Sequence, residues 1–383
     1  MARFVFLTWN GGGNQPPAIG IAHELRKRGH EIAFAGYAAQ ASYFETRGLP
    51  FVLLERSQQA WDRAPAEDPG IRIVDGVLIC RAHLDEVPEI FHRERPDVLV
   101  VDCMMFAAAL ACDLARLPAA ILVHSAPGAL LHPEGSLTHR ALQPLNALRA
   151  ATGRSGVERL WDHWSGMEVL CTTISPLDPL GEQMPSGFAF VGPVFETVAS
   201  SGWRSPWPSN DERPLVLASF STYAGSPPQT SRIDRTLKGL AALPYRVLVT
   251  SSTTDVSAIE VPDNAVIVQQ APHREILPET AAMVAHGGHG TITAALAHGV
   301  PLVCLPNARI ADQVPLAFQV EQLGAGRALD GDLATADEIG AAVVDVLADP
   351  LYRATARELA RLISATTGAV AAASRLERFA ADG

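Results

Sequence analysis

Residues 97–123 read DVLVVDCMMFAAALACDLARLPAAILV. Four apolar residues, Val98 to Val101, stand between Asp97 and Asp102, which predicts a strand buried on both faces. An Ala-rich helical pattern follows over 107–117, and Ala120 to Val123 returns as a strand. Strand, helix and strand in succession imply parallel pairing through right-handed crossovers, and so a doubly wound α/β sheet.

The same alternation extends in both directions. Upstream, Phe4 to Leu7 and Glu31 to Phe34 read as strands, with a helix from Pro17 to Arg28 stopped by Gly29, and 72–79 reads as a further strand region. Around 199–213 (SSGWRSPWPSNDERP within 200–214) the periodicity breaks, and this Pro-rich stretch is the predicted linker. Beyond it, strands are expected at 215–218, 246–250, 265–268, 282–285 and 302–305, with helices at 230–240 and 291–297. The predicted division is an N-terminal domain over 1–198, a linker over 199–213, a second α/β domain over 214–350, and helices over 351–383 that pack back on the first domain. Two such lobes leave a cleft beside the carboxyl ends of their strands, where open parallel sheets bind ligands.

Composition limits what could bind there. With 41 acidic and 30 basic side chains in 383 residues, the net charge is −11, and no Lys/Arg run occurs, which argues against nucleic acid or an anionic membrane as partner. The five cysteines include no C-x-x-C pair, so neither a disulfide framework nor a structural zinc site is indicated, and a cytoplasmic setting is expected. Glycines 11–13 end the first apolar run too early for a signal peptide, and no stretch approaches the ~20 residues of a membrane span.

The segment MVAHGGHGTITAAL, residues 283–296, carries a strand into a Gly-rich turn and then a helix. Amides of Gly288, His289, Gly290 and Thr291 at a helix N-terminus, with the His286 imidazole beside them, make an anion site. The same glycines also serve simply as a tight turn, with His286 as a structural hydrogen-bonder. Downstream, the strand after Gly299 leads to Asp312-Gln313, a carboxylate and an amide suited to vicinal hydroxyls of a sugar; alternatively Asp312 caps the helix over 314–323.

Taken together, residues 262–326 resemble the nucleotide-sugar signature of family 1 glycosyltransferases of the two-lobed (GT-B) type, particularly bacterial enzymes that glycosylate natural products. The resemblance rests on QAPHREIL (270–277), the His-Gly-Gly turn, GVPLV (299–303), Asp312-Gln313 and LGAG (323–326). It implies that His286 and the amides of 288–291 bind a diphosphate, that Asp312 and Gln313 hold sugar hydroxyls, and that Ser219 and Thr222, in a serine-rich loop, also contact phosphate. Gln270 stands where the family often has an aromatic residue. The resemblance further implies an inverting, metal-independent transfer from a dTDP- or UDP-sugar, deoxysugars included, to an apolar acceptor in antibiotic biosynthesis, with no cofactor beyond the co-substrate and a monomeric or homodimeric state.

The first half resembles the family's acceptor lobe at Pro17 and Gly29-His30. The family's general base falls at Asn14, and a neutral amide cannot take up a proton. Its partner acid matches Asp102, which can itself serve as base or merely bond the adjacent loop; His124, just after a strand, is a second candidate. An acceptor acidic enough to need no base is a third possibility. Acceptor contacts are expected from 55–70 and 124–160, both read as loop-rich, with Trp61, His132 and Trp161 as candidates and with Trp61, Trp161 and Trp164 equally readable as core. His132 and His139 are acceptor-site or surface residues. Two other functions remain compatible: a catalytically silent binding protein of the same fold, and an NDP-sugar epimerase.

Overall fold

In the computed structural model, which describes residues 1–65, 68–196, 202–220, 229–307 and 311–382, all strand pairing is parallel. The first sheet contains β1 (Arg3–Leu7), β2 (Glu31–Gly36), β3 (Phe51–Leu53), β4 (Val98–Asp102), β5 (Ala119–Val123), β6 (Glu168–Cys171) and β7 (Phe188–Phe190), in the order β3-β2-β1-β4-β5-β6-β7. The second contains β8 (Leu215–Ser219), β9 (Arg246–Thr250), β10 (Ala265–Val268), β11 (Thr280–Ala285), β12 (Leu302–Cys304) and β13 (Gly326–Ala328), in the order β10-β9-β8-β11-β12-β13. Strand order therefore reverses between β1 and β4 in one sheet and between β8 and β11 in the other. Those two reversals are where a doubly wound sheet opens a crevice at the carboxyl ends of its strands.

The chain forms two compact units. The first is Met1–Ser175, Leu180–Glu196 and Thr366–Gly383; the second is Pro176–Pro179 and Thr197–Ala365. In the first, Phe4, Phe6, Phe34 and Phe44 interlock between the sheet and the helix Gln15–Lys27, whose Ile19, Ala22 and Leu25 are buried as the helical spacing predicts. The last helix, Ala369–Asp382, adds Ala372, Ala373 and Leu376 to this core. Arg28 ties it down by bonding Glu377 at 2.8 Å, and His30 meets the same carboxylate at 2.8 Å. The helix preceding it, Pro350–Ala365, belongs instead to the second unit, where Arg353 donates to the carbonyl of Gly299 at 2.9 Å. Residues 202–213 carry neither helix nor strand, and the remainder of the expected linker, 199–201, lies outside the described residues.

Two expectations are overturned. The region 72–79 is not a strand: Pro69–Ile73 is an α-helix and Val74–Leu78 a π-helical turn. A short apolar run cannot distinguish a buried strand from a buried helical turn by periodicity. Here the helical choice is held by tertiary contacts, because the Tyr37 hydroxyl donates to the Gly76 carbonyl and the Trp61 ring lies where a side chain at Gly76 would sit. The stretches 55–70 and 124–160 are also less loop-like than expected. Glu55–Arg63 and Ser136–Ala151 are helices, the second accommodating Pro144.

Candidate active site

The crevice of the first sheet is built around one carboxylate. Asp102 closes β4, beside β1, and is 4% exposed. Its Oδ1 accepts from the Trp9 indole Nε1 at 3.2 Å and from the Met104 amide at 2.9 Å. Its Oδ2 accepts from Asn14 Nδ2 at 3.0 Å and lies 3.1 Å from His124 Nδ1. Each oxygen thus has two donors, which is as many as its lone pairs accommodate.

The glycine run after β1 explains how Trp9 reaches the carboxylate. A side chain at Gly11 would strike the Trp9 ring at 2.6 Å, and Gly12 has φ +73°, which favours glycine. Glycine is therefore required to seat the indole, and no phosphate need be invoked. Asn14 is buried and spends its Nδ2 on Asp102, the Trp9 carbonyl and the Thr8 hydroxyl. Trp9 is a participant that sequence reasoning missed; its only signal was the adjacent run of small residues.

His124 follows β5, the neighbour of β4. Its Nδ1 faces Asp102 and also lies 3.5 Å from Cys103 Sγ. Burial opposes a charged imidazole, yet Cys103 and Asp102 together raise its pKa well above the ordinary 6.5. Burial also pushes the Cys103 thiol up. Although Asp102, Cys103 and His124 bring donor atoms within 4.8 Å, the carboxylate lone pairs are committed to hydrogen bonds, and the cluster is a hydrogen-bonded dyad in character.

The second sheet has a comparable construction at its own reversal. Ser219 ends β8 and accepts on Oγ from Thr250 at 2.9 Å. His286 follows β11, and its Nδ1 lies 3.4 Å from the Ser219 carbonyl, which can only accept. Nδ1 therefore carries the proton and Nε2 is bare. Burial holds the His286 pKa down to about 4, with the charges of Arg232 and His273 acting in the same direction, so the ring is neutral near pH 7. Gly288 is required beneath it, since a side chain there would fall 2.4 Å from His286 Nε2.

The turn continues into the helix His289–Ala297, with Gly288 at its N-cap and Thr291 in its first turn. The Thr291 amide folds back on the Gly288 carbonyl at 3.1 Å, so it is not one of the open amides the sequence suggested; Gly288 and Gly290 lead the helix end. Gly287, at φ +81°, lies against the Gln313 backbone carbonyl, which joins the two motifs in space. Gln313 is buried, and its Oε1 accepts from the Asn307 amide at 2.9 Å. Asp312 occupies the N-cap position of Gln313–Gln322 without a side-chain capping bond, so the capping alternative does not describe it.

Other predicted residues are more dispersed. Gln270 is exposed in the loop after β10, and Thr222 lies outside the described residues. Trp161 and Trp164 are 3% and 2% exposed, Trp164 stacking with Phe106, as their core alternative anticipates. Trp61 is half-buried beneath the Arg72 guanidinium, and His132 Nδ1 accepts from the Glu134 amide within its own turn.

Comparison with known proteins agrees with this architecture. Residues 234–377 match the family described as erythromycin biosynthesis protein CIII-like, C-terminal domain. Demethyllactenocin mycarosyltransferase of Streptomyces fradiae is 26% identical over 386 residues, covering 92% of this chain and 81% of the relative. Among solved structures, the glycotransferase of kitacinnamycin superimposes with a TM-score of 0.79 at 22% identity over 99% of this chain and 98% of its own. The glycosyltransferase VinC in complex with dTDP gives 0.73 at 19% identity over the whole of both chains. Residues 234–377 are thus similar to a family of antibiotic-biosynthesis proteins, and the whole chain shares the fold of solved glycosyltransferases.

Proposed function

We propose that this enzyme transfers a sugar of the hexose or deoxyhexose class from a nucleoside diphosphate to an apolar natural-product acceptor, with inversion at the anomeric carbon. The observation that carries this reading is the turn at the β8/β11 reversal, where His286, Ser219, Gly288 and the end of the helix His289–Ala297 converge. A diphosphate suits that place because first-turn amides and the helix dipole favour an anion without any basic patch. Thymidine is the favoured nucleotide, since the VinC structure of similar fold holds dTDP.

In the proposed mechanism, the helix end and His286 stabilise charge that develops on the departing diphosphate. Asp312 and Gln313 orient the sugar, Ser219 flanks the phosphates, and Gln270 contacts the base. The first unit supplies the acceptor side. The intact association of Gly287 with the Gln313 segment supports an enzyme over a silent binding homologue, because it keeps the two donor motifs in register.

A panel of dTDP- and UDP-sugars tests this directly. The expected outcome is a donor-dependent rise in melting temperature, and release of nucleoside diphosphate only when an acceptor is added. Sugar interconversion without acceptor would instead indicate an epimerase, and no thermal shift with any donor would dismiss the enzyme.

A further inference from the structure

We propose that the general base of this transferase is His124 Nε2, held in place by Asp102, so that the dyad lost at Asn14 is rebuilt from the adjacent strand. The inference rests on the sugar-transfer reading above.

The geometry eliminates the alternatives in turn. Asn14 presents an amide whose nitrogen is already donated to three acceptors, and an amide does not accept a proton near pH 7. Asp102 is charged with the right chemistry but surrounded: Trp9, Met104, Asn14 and His124 occupy all of its lone-pair directions. A substrate hydroxyl would have to displace one of these donors from a group that is 4% exposed. His132 commits Nδ1 to a local turn.

His124 differs in having one nitrogen engaged and one available. Nδ1 faces the carboxylate at 3.1 Å, which fixes the tautomer with the proton on Nδ1 and a lone pair on Nε2. No partner for Nε2 occurs among the described residues, and the side chain retains 14% exposure. The residue lies at the carboxyl end of β5, next to the strand-order reversal. The titratable groups that face it, Asp102 and Cys103, both come from the end of β4.

The step balances without any further reactant. As the acceptor oxygen forms its bond to the anomeric carbon, its proton moves to His124 Nε2. The bond from that carbon to the diphosphate oxygen breaks, and the electron pair leaves on the nucleoside diphosphate. Asp102 stabilises the imidazolium so formed, which then returns its proton to water. Asp102, Asn14 and Trp9 are positioning residues in this scheme.

Two measurements on the full chain test the dyad. In protein labelled with 15N-histidine, the His124 signal, identified by its loss in His124→Gln, should show Nδ1 protonated throughout and Nε2 titrating above pH 6.5; Asp102→Asn should move that titration downward by at least one pH unit. A ring protonated on Nε2 in its neutral form, or a titration unmoved by Asp102→Asn, overturns the dyad. Separately, His124→Gln should reduce kcat by at least ~100-fold for alcohol acceptors but by less than ~10-fold for 4-nitrophenol, which is acidic enough to dispense with a base, with the donor KM little changed. In the wild type, kcat/KM for alcohols should rise with pH through the Nε2 titration. Equal losses on alcohols and 4-nitrophenol overturn the base assignment. If the wild-type chain binds no donor, the transfer reading fails, and the labelled-histidine titration still decides the dyad.

Discussion

Replacing Asn14 by aspartate reverses the sense of one buried hydrogen bond and tests how the carboxylate at the first sheet's crevice is supported. Asn14 is 1% exposed and donates to Asp102 Oδ2 at 3.0 Å, to the Trp9 carbonyl and to the Thr8 hydroxyl. The substitution puts an acceptor where a donor stood, so the bond to the charged group is lost, at a cost of about 1.5–3 kcal/mol. Two carboxylates at that separation cannot both ionise, and the pair must retain a proton to higher pH than an unfolded carboxyl with its pKa near ~3.9. The sign follows from linkage. A carboxyl whose folded pKa is raised contributes stability below the unfolded value and loses it as pH rises through the folded one. The variant's deficit should therefore be small near pH 4.5 and full by pH 8. For a unit of this size, about 2–4 °C per kcal/mol makes the full deficit roughly 3–12 °C in the melting transition of the first unit. Calorimetry at several pH values, with the first unit's transition resolved from the second's, reads it out. A deficit identical at pH 4.5 and pH 8 would refute the reasoning, since the two carboxylates would then not interact.

Four further outcomes are expected. His286→Ala should cut turnover by at least ~100-fold, as befits a group that stabilises departing charge, and an activity assay at saturating donor measures it. Because His286 is neutral with a bare Nε2, binding of dTDP should draw a proton onto the ring; calorimetric titration near pH 6.5 in buffers of different ionisation enthalpy should reveal uptake, and buffer-independent heats would contradict it. Gly288→Ala should weaken dTDP binding as well, since its methyl group would occupy the space 2.4 Å from the imidazole, whereas Gly290→Ala, with nothing within 4 Å of the new carbon, should fold and melt as the parent does. On acidification, stability should fall between about pH 6.5 and pH 4, because burial depresses His286 and His163 to about 4 and His83 to about 3, and the unfolded chain binds protons there that the folded chain refuses. Urea midpoints at pH 7.5 and pH 5 check this, and a midpoint unchanged between them would contradict it.

The parallel sheets were legible because their strands are buried on both faces and so read as unbroken apolar runs, β4 and β9 most plainly. The donor motif was legible because a strand, three glycines and a helix follow one another within fourteen residues, and local order sufficed to locate it. What escaped depends on partners remote in sequence. Nothing local announces that Tyr37 and Trp61 hold 74–78 in a helical turn. Likewise, Trp9, Asn14 and His124 converge on Asp102 from three elements up to 93 residues away, and that saturation changes which of them can act as a base. Asp102, Asn14 and His124 were each visible as candidates, but the division of labour among them required distances.

The first unit is assembled from both ends of the chain, with Ala372, Ala373 and Leu376 completing a core that starts at Phe4. During synthesis, everything between 197 and 365 is therefore made before the first unit can receive its last helix. Until then the groove between the Gln15–Lys27 helix and the sheet exposes apolar surface, and Arg28 and His30 wait for Glu377. The nascent first unit is the vulnerable species, and a chain stopped short of 366 leaves it permanently unfinished. Native order in the N-terminal half is thus conferred late, by residues made only after the whole of the second unit.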